Sequence, residues 1–146
     1  MLRTGAVLLS LWTVGNLLLA LGILFSLLAL GKNAPALLIL YGTIAPVEID
    51  PRALATINAL AVVFNAGAAS LCGLSLTVIW AALVRRISWA FWAVTGALSF
   101  IQAAGFASDA FLGNRNLTAN LASSFLLLAG FSFAAVGIFK ERSEKS

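Results

Sequence analysis

Between Arg52 and Arg85 the chain runs through thirty-two residues, 53–84, without a charged side chain. A helix needs only about 20 apolar residues to cross the hydrocarbon core of a bilayer. The stretch therefore predicts a membrane-spanning helix. Asn58, Asn65 and Cys72 recur along it every seven residues, which places the most polar side chains of an apolar rod on one face. That face is expected to point at protein and not at lipid.

The rest of the chain has the same character. Of 146 residues, 62% are hydrophobic and 10% charged, with a mean hydropathy of +1.04, whereas about a quarter of residues are charged in soluble domains. A water-facing surface cannot be made from such a chain, so a single membrane domain over residues 1–146 is expected. The nine Lys and Arg residues sit almost entirely at the ends of apolar segments. There they read as topology signals facing anionic lipid, and no nucleic-acid partner is implied. The chain has no histidine, so it lacks the commonest metal ligand and the commonest general base. Its single cysteine, Cys72, allows neither an internal disulfide nor a CxxC pair. No metal and no cofactor is expected.

Four spans follow, at about residues 5–31, 53–84, 87–109 and 117–139. The first is too long for the apolar region of a signal peptide, about 7 to 15 residues, and is expected to persist as a helix. Gly31, Lys32, Asn33 and Pro35 give it a C-terminal stop. Residues 33–49 are apolar but broken by Pro35, Gly42 and Pro46, so they read as an outer interfacial loop with Tyr41 at head-group depth. Asp50 and Pro51 then supply an N-cap and a first helical residue. Arg85 and Arg86, with Trp80, Trp89 and Trp92 around them, mark a tight hairpin at a membrane face. Gly113 and Asn114 can end the third helix through a left-handed residue.

Four spans place both termini on the side of the Arg85-Arg86 turn. Arg3, Arg85, Arg86, Lys140, Arg142 and Lys145 lie on that side, against Lys32, Arg52 and Arg115 on the other. The excess assigns both termini to the cytoplasm. The expected fold is all-α: an integral membrane bundle of four antiparallel transmembrane helices in a bacterial inner membrane.

The candidate functional residues are polar side chains inside these spans. Ser99, Gln102, Phe106 and Asp109 follow a three-and-four spacing, as do Asn116, Asn120 and Ser124. With Asn58 and Asn65 they are expected to converge on one outward-opening region. Asn58, Asn65, Gln102, Asp109, Asn120 and Ser124 are the candidate ligand-binding set, and Tyr41, Glu48, Arg52 and Arg115 the candidate mouth. Amides both donate and accept, which suits a neutral or zwitterionic amphiphile. The competing reading is that they bond across helices and fix register. Small residues at intervals of four or seven, including Gly15, Gly22 and Ala29 in the first span and Gly130 and Ala134 in the fourth, are expected to line close helix contacts.

No Asp, Glu, Lys or Arg lies in the middle of a span, which argues against proton-coupled transport. Asp109 has no histidine to pair with and Cys72 no adjacent base, so no catalytic residue is assigned. The layout, with Leu40-Tyr41-Gly42 before the second helix and Trp89-Ala-Phe-Trp92 opening the third, resembles small four-helix bacterial inner-membrane proteins, DoxX-like proteins among them. The resemblance implies a four-helix bundle and transfers no catalytic motif. The expected function is a non-enzymatic membrane protein: an accessory subunit, or a binder of a lipid-like small molecule, with membrane lipids and other subunits or further copies as partners. The alternatives are a small oligomeric transporter or channel with Asn65, Gln102 and Asn120 facing a pore, and a lipid-modifying enzyme using Asp109 with Glu48 or Asp50.

Overall fold

A charge-free run of alanine, leucine and valine has nowhere to place its backbone polar groups in lipid except in its own helix. In the computed structural model, which describes residues 1–31, 34, 50–111, 113 and 116–143 with side chains through residue 140, the regular elements are all helical. They are α1 (Leu2–Leu30), α2 (Pro51–Val78, continued by a π-helical turn, Ile79–Leu83), α3 (Ser88–Phe111) and α4 (Leu117–Ser143). Four stretches, Leu2–Leu30, Pro51–Leu83, Ser88–Phe111 and Leu117–Lys140, are long and apolar enough to cross a membrane. The chain is an integral membrane protein. Between 17% and 28% of each apolar window is buried inside the fold, so most of the apolar surface is left to face lipid or protein.

Local chemistry sets the helix ends. Asp50 caps α2: its Oδ2 accepts the backbone N–H groups of Arg52 and Ala53 at 3.0 and 3.1 Å, satisfying donors that a helix start leaves open. Gly31 and Gly113, after α1 and α3, take positive φ values of 52° and 80°. The end of α2 is more unusual. The Arg86 N–H bonds the Leu83 carbonyl at 2.9 Å and the Ile87 N–H bonds Ala82 at 3.2 Å, the paired bonds of a Schellman cap. Its left-handed residue is Arg86, with φ of 64°.

The chain divides into two compact units, one made of Met1–Gly15 with Leu71–Ser146, the other of Asn16–Ser70. In the first, Leu2, Ala6, Leu9 and Trp12 of α1 join Ile79, Ala82 and Leu83 of the π turn, Phe91, Val94 and Leu98 of α3, and Leu127, Ala134 and Ile138 of α4. The register follows from the contacts. Leu2 lies against Gly137, Gly5 against Ala134 and Gly130, and Leu9 against Gly130, so numbers rise along α1 as they fall along α4. The two run antiparallel. In the second unit, Ile23, Leu27 and Ala34 gather with Leu54, Ile57, Ala61 and Val62.

The α1–α4 contact is closer than side chains permit. A Cβ on Gly5 would strike the Ala134 backbone nitrogen, one on Gly137 would lie 2.5 Å from the Leu2 nitrogen, and one on Gly130 would lie 2.8 Å from Leu9. Gly15 and Gly22, by contrast, meet nothing within 4 Å among the described residues. The small residues that bring α1 against α4 are therefore Gly5, Gly130, Ala134 and Gly137, and the expected stripe of Gly15 and Gly22 makes no such contact among the described residues. The same substitution should act with opposite signs at these sites. Gly130→Ala should lower unfolding free energy in detergent by about 1–3 kcal/mol through overpacking. Gly15→Ala, which only removes backbone freedom, should be neutral or raise it by up to about 1 kcal/mol. Paired unfolding titrations in mixed micelles check both.

Candidate functional site

Inside a membrane-spanning helix a polar side chain can bond back to its own backbone or reach a neighbour, and the two choices have different consequences. Among the described residues, six take only the first course. Thr13 bonds the Leu9 carbonyl at 2.6 Å, Asn65 the Ala61 carbonyl at 2.8 Å, and Thr56, Ser70, Thr77 and Ser132 likewise bond the carbonyl four residues earlier. Such bonds quiet a polar group without tying one helix to another.

The second group forms a continuous string across three helices of the first unit. The Trp12 indole Nε1 donates to Ser123 Oγ at 2.6 Å, and Ser123 Oγ donates to Gln102 Oε1 at 3.1 Å. Gln102 Nε2 donates to the Asn120 carbonyl at 3.1 Å and to Ser124 Oγ at 3.0 Å. Ser124 Oγ also donates to the Asn120 carbonyl, at 2.9 Å. Asn120 Nδ2 then reaches Asp109 Oδ2 at 3.3 Å, and Asp109 Oδ1 accepts the Asn116 backbone N–H at 2.8 Å. The string runs from α1 through α4 and α3 and ends where α4 begins.

Helical spacing explains the convergence. Gln102 and Asp109 are seven apart on α3, and Asn116, Asn120 and Ser124 are four apart on α4, so each set lies along one side of its helix. Gln102 uses both amide hydrogens and its oxygen. Asp109 is 3% exposed and is the only charged side chain fully buried among the described residues. Its carboxylate accepts the N–H of Asn116, the residue just before α4, where the positive end of the helix dipole favours a negative charge. Asn120, half-buried, gives one amide hydrogen to Asp109 and keeps the other, and its Oδ1, unused among the described residues.

The structure thus brings together Gln102, Asp109, Asn120 and Ser124. Asn58 and Asn65 belong to the second unit; Asn58 is half-buried there and Asn65 is buried, with its amide turned to its own helix. Arg52 is exposed in the first turn of α2. Tyr41, Glu48 and Arg115, and all of the 33–49 loop except Ala34, lie outside the described residues. Two members of the string, Trp12 and Ser123, escaped sequence reasoning. The signal was present: a Trp in the middle of an apolar helix buries an N–H that must find an acceptor.

No protein-family model matches the chain, and neither the curated proteins nor the solved structures contain a match.

The two classes of polar residue should separate in stability measurements. Gln102→Leu should lower unfolding free energy by about 1–2 kcal/mol, at the upper end of intramembrane hydrogen-bond effects, whereas Thr77→Val should change it by less than about 0.5 kcal/mol. Combining Gln102→Leu with Ser123→Ala should cost less than the sum of the single changes. Strict additivity would show that the string does not act as a unit.

Proposed function

We propose that this chain is a non-enzymatic protein of a bacterial cytoplasmic membrane, with both termini inside, that acts as an accessory subunit or holds a lipid-like small molecule at the α3–α4 seam. The supporting observation is the unequal closure of the hydrogen-bonded string. Asp109 is closed off, while Gln102, Asn120, Ser123 and Ser124 are only half-buried, and among the described residues Asn120 has an amide hydrogen and an amide oxygen left over. Polar atoms left facing hydrocarbon are costly. A polar group of a bound amphiphile or of a neighbouring subunit, set against Asn120, would remove that cost.

Recognition would then rest on shape and on paired amide bonds. Asp109, engaged by two donors, is better suited to holding α3 to the start of α4 than to transferring protons, which weighs against a catalytic role. Gln102 turns its donors into α4, which favours a binder over a pore lined by the same side chain.

Native mass spectrometry of gently extracted protein tests the reading directly. An adduct of lipid-like mass or a retained partner subunit is expected on the wild type, reduced about tenfold in Asn120→Leu and unchanged in Thr77→Val, with helical content by circular dichroism as the folding control. If Asn120→Leu stays folded and retains its full complement of adducts, the seam is purely structural.

A further inference from the structure

The opposite end of the first unit concentrates charge of one sign. Leu2 closes on Gly137, and Phe139 meets the Phe91 and Trp92 rings at centroid distances of 5.6 and 6.3 Å. Ala82, Leu83, Phe91 and Ile138 share the core beneath. The start of α1, the turn after α2, the start of α3 and the last turns of α4 therefore meet in one layer. Arg3, Arg85, Arg86 and Lys140 adjoin these packed residues in sequence, and all four are exposed. Among the described side chains of residues 1–6, 79–93 and 137–140 there is no carboxylate. Beyond Lys140, Glu141 and Glu144 are balanced by Arg142 and Lys145. Asp109 lies twenty-one residues from Ser88 along α3, a separation of about 30 Å.

Two further features single out this end. Trp80, Trp89 and Trp92 are 53%, 60% and 64% exposed, and exposed indoles between a basic rim and an apolar body settle at head-group depth. The Schellman cap, whose left-handed position is most often glycine, holds Arg86 instead.

We infer that this basic and aromatic collar binds anionic phospholipid, with head-group phosphates held by Arg3, Arg85 and Lys140 and the three indoles lying among the glycerol esters. Guanidinium groups suit phosphate because their planar N–H pairs match two of its oxygens. The cations are spread around an apolar layer and flanked by exposed indoles, an arrangement that fits the surface of a leaflet better than a free phosphate ion. The collar lies apart from the α3–α4 seam, so the inference does not depend on what the seam binds.

The tryptophans serve as reporters. Full-length protein is reconstituted in phosphatidylcholine bilayers containing phosphatidylglycerol, with one or the other lipid brominated on its acyl chains so that contact quenches fluorescence; Trp12, at 3% exposure, adds a constant background. The expected result is a severalfold preference of the collar for phosphatidylglycerol. Each of Arg3→Gln, Arg85→Gln and Lys140→Gln should lower it, by up to about fivefold per charge, while Arg85→Lys keeps most of it. In the wild type alone, raising salt from about 0.01 M to about 1 M should abolish the preference, because the screening length falls from about 30 Å to about 3 Å. Equal quenching by both lipids at low salt, or a preference insensitive to salt, overturns the inference. So does full displacement of the lipid by inorganic phosphate at matched ionic strength, since the collar would then be a site for the free ion.

Discussion

Hydrogen bonds act over about 3 Å, so one helix can satisfy another's polar groups only where their backbones come close. Gly5, Gly130 and Gly137 provide that approach between α1 and α4, and the bond from Trp12 to Ser123 lies further along the same two helices. On the α3 side a Cβ on Gly105 would lie 3.7 Å from Asn120 Oδ1, again leaving room for an amide. In hydrocarbon the two effects reinforce each other. Burial away from lipid gives little hydrophobic gain, so packing and polar bonds carry helix association, and the glycines make both possible along one line.

The spans were legible in the sequence because the absence of charge over more than twenty residues has few other meanings. Asp50-Pro51 as a helix start and the grouping of Gln102, Asp109, Asn120 and Ser124 were legible for a similar reason, since spacing alone places residues on one side of a helix. Which small residues face a neighbour was not. In a water-soluble helix the packed side is apolar and the other polar, and the contrast reveals the face; in lipid both sides are apolar and the contrast disappears. Gly5 and Gly15 therefore look alike in sequence although one touches a helix and the other, among the described residues, meets nothing within 4 Å. Asn65 poses the same difficulty, because a back-bond to Ala61 and a bond across helices leave the same trace in the sequence.

Charge is distributed along α3 with a consistent logic. One end opens after Arg85 and Arg86, beside Trp89 and Trp92; the other carries Asp109, which is turned inward and used. The cations at the first end are exposed and the anion at the second is buried, so the two ends present different chemistry to their surroundings. Such an arrangement favours one orientation of a helix in a membrane with an anionic leaflet, because the exposed basic end gains from that surface while Asp109, being buried, presents no negative charge to either leaflet.

Asp109 also shows why a buried carboxylate in a membrane helix need not be a functional group. Its burial would be costly if it were alone, but the start of α4 supplies a backbone N–H and Asn120 an amide, and the α4 dipole adds to both. Removing Asn120 would take away one of the two donors that the described residues give this carboxylate; removing Asp109 would take the acceptor from the Asn116 N–H just before α4. Each group is kept in place by what the other would lose. Asp109 thus ties the end of α3 to Asn116 and Asn120 at the start of α4, so that the proposed ligand or partner would meet the half-buried Gln102, Asn120, Ser123 and Ser124 side chains and not the carboxylate.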